Sequence, residues 1–320
     1  MRSVPQRAAS MPPVVAPPQR PSSNLGRAAV VVTIISWLGW VLFCPPFGPG
    51  GATAAGQNVL VTGASQGIGR ALVFEYAKRG AANVVIASRS EAKLQAVAVA
   101  VTQKYPSTRV HVVVSDLSNE ESSRALIVTS LQLMNDKLDV LILNHITSSR
   151  FGTWLSKPDK GFVWEMFNVN TLSYIWTATV AVEEVSKRGG SLRIGVLSSL
   201  AGHVGTPKTS VYSATKHALH GFFNAFRAEL AYASPEMQRT SVTICAIGAT
   251  ETEGAAQVKD QISSMVQWDS ADWAAEAIVR GVAAKKREIF HPHHVVFPSV
   301  VLYRLFPALM DQVLVKAHQR

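Results

Sequence analysis

Between residues 57 and 290 the chain alternates two kinds of segment. Short, continuously apolar runs (NVLVT, NVVIAS, RVHVVV, VLIL, RIGVLSS and SVTICAIG) are separated by longer, mixed stretches suited to helices. A strand that is apolar at every position, rather than at every second one, is buried on both faces. Alternation of such strands with helical segments predicts βαβ units and a parallel sheet covered on both sides. The expected fold class is therefore α/β: a doubly wound parallel sheet of the Rossmann type forming a single domain over 57–290.

Outside these limits the pattern changes. Residues 1–27 are rich in Pro, Arg, Ser and Ala with no acidic residue, and predict a disordered basic tail. AAVVVTIISWLGWVLF (28–43) is uncharged and apolar throughout. As a helix it rises about 24 Å, close to the roughly 30 Å of a bilayer core if the next few residues sit at the interface. Residues 28–47 are thus expected to form an N-terminal membrane-anchor helix or signal segment, followed by a Gly/Ala linker at 48–56. An uncleaved anchor is the favoured reading; a cleaved secretory signal and a transit sequence stay open, since Ala52-Thr53-Ala54 offers small residues for cleavage. Residues 291–320 form an apolar C-terminal segment, broken by Pro298, Arg304 and Pro307, that reads as a dimer or membrane-surface contact, with packing on the domain's own core as the alternative.

Charge sharpens this picture. The net charge is +10 over 320 residues, but Arg2, Arg7, Arg20 and Arg27 are the only charges before Arg70. With part of the excess in the leader and the rest scattered, no basic stripe with interleaved aromatics exists, so nucleic acid is not an expected partner. The same asymmetry predicts that an anchored chain keeps its tail in the cytosol and its domain on the lumenal side. A lipid-droplet hairpin is a further alternative, because the segment exits through CPPFGPG. Cys44 and Cys245 are read as unpaired thiols.

The first strand runs into Thr62-Gly63-Ala64-Ser65-Gln66-Gly67-Ile68-Gly69 and then a helical stretch. Glycines there let the backbone turn tightly and approach a pyrophosphate at the helix N-terminus. Cofactor contacts are expected from Gly63, Ser65, Gln66, Gly67, Ile68 and Gly69. The second strand ends in Ser88-Arg89 with no acid to accept a ribose 2′-hydroxyl, and an arginine there suits a 2′-phosphate, so the cofactor is read as NADP(H). Asp116, after the third strand, is placed to contact the adenine or to cap a helix.

The chemistry is predicted further along. A strand ends at Ser199; Tyr212 follows, and Lys216 lies one helical turn beyond it. An ammonium beside a phenol is expected to lower its pKa, making Tyr212 a general acid or base for a carbonyl oxygen that Ser199 also hydrogen-bonds. No metal site is expected: His291, His293 and His294 lack a further ligand at sensible spacing, and His203 and His217 read as pocket lining or helix surface.

TGASQGIG together with Ser199, Tyr212 and Lys216 resembles the short-chain dehydrogenase/reductase family, and LILNHIT, VLSSLAGHVG and YSATKHALHGFF resemble its 11β-hydroxysteroid dehydrogenase group. The resemblance implies that an asparagine on the preceding helix completes a proton relay: FNVNTLSY offers Asn170, with Asn168 the less favoured neighbour. It implies that Thr252, in IGATET, contacts the nicotinamide end of the cofactor, although Ile247 replaces the family's proline. Asn144 and His145, at the end of the fourth strand, become cofactor-pocket residues, and residues 250–268 the substrate lid. It also implies NADPH-dependent interconversion of a ketone and a secondary alcohol on a steroid or similar lipophile, favouring reduction. Further implications are a homodimer and a single-pass endoplasmic reticulum protein with a lumenal domain, with secretion after cleavage as an alternative. Two rival functions stand beside this one. The first is a carbonyl reductase for a retinoid, sphingoid base or xenobiotic ketone; the second is a non-catalytic NADP-binding membrane scaffold.

Overall fold

The structure, a computed structural model, describes Gly39 and residues 53–147, 150–256, 259 and 268–318. The expected anchor or signal segment, 28–47, lies outside the described residues except for Gly39. So does most of the expected lid, 250–268. Among the described residues no helix is long and apolar enough to cross a membrane. The chain divides into two units, Met1–Val41 and Leu42–Arg320, and the account below concerns the second.

Its strands are β1 (Asn58–Thr62), β2 (Asn83–Ser88), β3 (Arg109–Val114), β4 (Val140–Leu143), β5 (Arg193–Ser199) and β6 (Ser241–Ile247). Two short strands follow, β7 (Thr250–Glu251) and β8 (Asp269–Ser270), and then β9 (Glu288–His291). One seven-stranded sheet has the order β3-β2-β1-β4-β5-β6-β9, and every pairing in it is parallel. The expected doubly wound α/β domain is what forms, with its last sheet strand ending at His291.

Successive strand residues serve opposite layers. Val59, Val61, Val84, Ile86, Val140 and Ile142 pack with α1 (Gly67–Lys78), α2 (Glu91–Lys104) and a later helix, Ala271–Ala283. Leu60, Val85, Ala87, Leu141 and Leu143 pack on the other face, against α3 (Glu120–Leu133) and two helices still to come. Burial on both faces is why these strands show continuous apolar runs.

The second layer is completed by α4 (Lys160–Phe167), a π-helical turn (Asn168–Leu172), α5 (Ser173–Lys187) and α6 (Ser210–Leu230). Helix α7 is Ala271–Ala283, and the chain ends in α8 (His293–Leu305) and α9 (Pro307–His318). Val296 and Val300 of α8 pack on Ala246 at the β9 side of the sheet. The strand order reverses between β1 and β4, so a crevice opens at their carboxyl ends, where ligands bind in such sheets.

Candidate active site

The turn from β1 to α1 is built around backbone angles and close approaches that favour glycine. Gly63 and Gly67 have φ of +65° and +55°, in the left-handed region. A Cβ on Gly69 would lie 2.1 Å from the Gly63 carbonyl oxygen and 2.5 Å from Asn144 Nδ2. Gln66, at the N-cap of α1, makes no side-chain capping bond, so the cap leaves the first N–H groups of the helix to other acceptors. These features fit a dinucleotide pyrophosphate. Glu253 currently uses one of the donors: its carboxylate accepts a hydrogen bond from the Gly67 N–H at 2.9 Å.

Beside the turn, β4 ends where Asn144 begins a brace. Asn144 Nδ2 donates to both the Thr62 and Gly63 carbonyls at 3.1 Å, and its backbone N–H donates to Thr62 Oγ1 at 2.9 Å. His145 is buried, with Nδ1 2.8 Å from Thr62 Oγ1 and Nε2 within hydrogen-bonding distance of Ser173 Oγ. Tyr174 donates to the His145 carbonyl at 2.8 Å. A neutral imidazole donates to one of these hydroxyls, and its other nitrogen accepts only when Thr62 or Ser173 turns its hydrogen away from the Ile142 or Val169 carbonyl. Burial, with Lys216 a smaller contributor, holds its pKa down to about 3. His145 therefore links the Gly-rich turn to α5.

Ser199 closes β5, and its Oγ accepts a hydrogen bond from the Ala201 N–H at 3.2 Å. Tyr212 and Lys216 share a face of α6, with Nζ 5.8 Å from the Tyr212 ring centroid and 5.2 Å from that of Tyr174. Lys216 Nζ also donates to the Leu197 carbonyl at 2.8 Å, which ties α6 to β5 directly behind Ser199. The expectation that Lys216 depresses the Tyr212 pKa needs correction. Burial pushes the phenol above its ordinary value, and only the hydrogen bond with Ser199 acts in the opposite direction. Burial likewise brings the Lys216 ammonium down to about 7, so it is a weak counter-charge at neutral pH. The phenol therefore carries its proton at neutral pH and has one to give to an oxygen that gains negative charge, while the raised pKa makes it a weaker acid than an ordinary phenol.

Of the two asparagines, Asn170 faces inward. It is fully buried in the π-helical turn, and Oδ1 accepts from the Thr147 N–H at 3.0 Å. Asn168 instead donates to the Ser118 carbonyl at 2.6 Å. The widened turn is anchored to α6 by Thr171 Oγ1, which donates to the Thr215 carbonyl at 3.2 Å, next to Lys216. Such turns recur at functional sites because they redirect side chains within a helix.

The remaining predicted residues lie on or near the β1–α1 turn and just beyond β2 and β3. Ser88 ends β2 and its Oγ accepts from the Ser90 N–H, while Arg89 beside it is exposed. Asp116 is exposed just beyond β3, and Gln66 accepts from Lys93 at 2.8 Å. Ser65 is partly buried in the turn, and Ile68 packs against the core cluster under α1. A Cβ on Gly67 would lie 3.0 Å from Thr252 Cγ2, which brings the segment after β6 against the Gly-rich turn. On the open side of Tyr212 a pocket of about 190 Å³ is lined by Phe151, Trp154, Phe162 and Lys208 among others. A larger, shallower cleft of about 830 Å³ lies over the start of α1 and includes Thr252 and Glu253. The sequence reading missed Thr62, Ser173, Glu253 and the Leu197 carbonyl, whose roles come from contacts distant in sequence.

A parallel sheet with a glycine turn at its switch point, and a Ser-Tyr-Lys set across the crevice, defines a nucleotide-dependent dehydrogenase. The family model described as short chain dehydrogenase matches residues 57–263, and the chain belongs to that family. Within it, the chain is similar to hydroxysteroid 11-beta-dehydrogenase 1-like protein B of Xenopus laevis, 34% identical over 263 residues, covering 82% of this chain and 87% of the relative. A Gallus gallus hydroxysteroid 11-beta-dehydrogenase 1-like protein is 37% identical over 238 residues, covering 74% and 79%. Among solved structures, the fold resembles a short-chain dehydrogenase from Sphingobium yanoikuyae in complex with NADPH (TM-score 0.64, 22% identity, 80% of this chain and 95% of that one). It also resembles one from Burkholderia phymatum in complex with NAD (TM-score 0.70, 20% identity, 80% and 96%).

Proposed function

We propose that the chain is an NADP(H)-dependent oxidoreductase that interconverts a ketone and a secondary alcohol on a steroid or similar lipophile, favouring reduction. The observation that carries this reading is the Tyr212 phenol at the edge of an aromatic-lined pocket, with Ser199 and Lys216 beside it. The bound nicotinamide would supply the hydride to the carbonyl carbon. Tyr212 gives its proton to the carbonyl oxygen, and Ser199 holds that oxygen in place. Lys216 binds the ribose and returns a proton to Tyr212 through a relay that ends at Asn170. Such a set has no use in a non-catalytic scaffold.

Choice of NADP(H) rests on Ser88-Arg89 at the end of β2, where no carboxylate stands to meet a 2′-hydroxyl. Contacts are assigned to Gly63, Ser65, Gln66, Gly67, Ile68, Gly69, Asp116, Asn144, His145 and Thr252, on the strength of the Gly-rich turn and of the family resemblance. A steroid or related ketone is supported by the names of the relatives and by Phe151, Trp154 and Phe162. A membrane or homodimer contact is supported by Leu302, Leu305, Phe306, Leu309, Val313 and Val315, which are exposed along α8 and α9. An endoplasmic reticulum location with a lumenal domain rests on the arginines that precede 28–47.

Purified protein with NADPH and a panel of ketosteroids, retinals, 3-keto sphingoid bases and xenobiotic ketones tests the reading by loss of nicotinamide absorbance. Turnover of ketosteroids is expected; turnover only of another lipid ketone would transfer the activity to that substrate, and none on any ketone with cofactor binding intact would refute catalysis. Replacing Arg89 by Glu should raise the KM for NADPH about tenfold, the equivalent of roughly 1.4 kcal/mol, with little change for NADH. Protease protection of the domain in sealed microsomes tests the topology, and digestion would contradict it.

A further inference from the structure

Behind the candidate active site, three titratable side chains from distant parts of the sequence converge. His203 follows the 3₁₀ turn after β5, His220 lies on α6 one turn beyond Lys216, and Glu288 begins the edge strand β9. His203 Nε2 lies 2.6 Å from Glu288 Oε1, and His220 Nδ1 lies 3.5 Å from the same oxygen. One ligand atom from each residue falls within 4.8 Å of the others. None of the three lines the pocket at Tyr212. From these contacts we propose that His203, His220 and Glu288 form a binding site for a zinc-class divalent cation.

The donor chemistry fits. Two imidazole nitrogens and one carboxylate oxygen are a recurrent zinc set, with ligand bonds of about 2.0–2.2 Å. Ligands around such an ion are roughly 3.3 Å apart, and the observed 2.6 and 3.5 Å bracket that spacing. Small side-chain rotations would open the shorter contact. Among the described residues, the ion-pair partners of Glu288 are these two imidazoles. Among the described residues no hydrogen bond is made at His220 Nδ1, whereas its Nε2 lies 2.8 Å from Ser198 Oγ. A hydrogen bond from Nε2–H to that hydroxyl leaves the Nδ1 lone pair facing the carboxylate, the arrangement a cation completes. Arg227 and Arg304 lie close enough to act on Glu288 and His220 electrostatically, so moderate affinity is expected rather than permanent retention. A bound ion would join the end of β5, α6 and β9, and so stiffen the support of Ser199 and Lys216 from behind.

Cobalt chloride titrated into the metal-stripped full-length protein provides the test. The expected result is one equivalent of Co²⁺ per chain with the visible bands of a low-symmetry four- or five-coordinate site, bleached by added zinc chloride. His203→Gln and Glu288→Gln should each abolish the bands, whereas His294→Gln, in the other histidine-rich segment, should keep them. Zinc at a hundredfold excess over its Kd should raise the wild-type Tm by about 5 °C or more, and not that of either ligand variant. If His203→Gln lacks a cooperative unfolding transition, Glu288→Gln alone decides. Absence of the bands in the wild type, or their survival in the folded ligand variant, would overturn the proposal.

Discussion

The Asn144 brace can be tested by two substitutions that differ in a single respect. Asn144→Ala removes the Nδ2 donor shared by the Thr62 and Gly63 carbonyls, each at 3.1 Å. Losing hydrogen bonds to partly buried acceptors costs about 1–3 kcal/mol in total, because some water can reach the crevice. For a domain of this size that corresponds to a fall in Tm of roughly 3–10 °C. Asn144→Asp keeps the shape but puts a carboxylate oxygen where the donor was, facing two carbonyl oxygens and the expected phosphates. It should therefore be worse than Ala in both Tm and NADPH affinity, the latter read by quenching of intrinsic fluorescence. Packing alone would reverse the order, since Asp preserves nearly all the volume. Equal stability of Asn144→Asp and wild type would refute the donor role.

Three further outcomes follow from the same geometry. Gly69→Ala should cost about 1–3 kcal/mol or more and abolish NADPH binding, because its Cβ would sit 2.1 Å from a carbonyl oxygen. Gly205→Ala, where a Cβ meets nothing within 4 Å, should be silent in the same assays. His145 ionises near 6.5 in the unfolded chain and near 3 when folded, so the unfolded state takes up more protons between those values. Its contribution is complete above pH 6.5 and is lost as pH falls through that window, at about 1.4 kcal/mol per pH unit. Urea unfolding of wild type and His145→Asn at pH 7 and pH 5 should differ in slope by about 2 kcal/mol, and parallel lines would contradict the assignment.

The sheet and the family motif were legible because both leave local marks. Six strands announce themselves as apolar runs, and Tyr212 and Lys216 stand one turn apart on an evident helix. Gly63, Gly67 and Gly69 are similarly readable, since their backbone angles or close contacts favour glycine. Asn170 is preferred over Asn168 only through resemblance; the π-helical turn that buries it is not revealed by any periodicity in FNVNTLSY. The phenol's raised pKa was misread for a related cause. Spacing places an ammonium near Tyr212, but burial of both groups, a tertiary property, decides their titration. His203, His220 and Glu288 were likewise out of reach, because 85 residues separate the first from the last. The segment 28–47, for which the sequence predicts an anchor or signal, lies outside the described residues except for Gly39.

The most direct test of the account is the reduction of a ketosteroid by Tyr212→Phe with NADPH. The substitution removes only the phenolic hydroxyl, so folding and cofactor binding should be retained, as read by thermal unfolding and fluorescence titration. The account predicts a fall in kcat of about a hundredfold to ten-thousandfold, the range supplied by a positioned general acid. A variant that binds NADPH and reduces the ketone at the wild-type rate would contradict it.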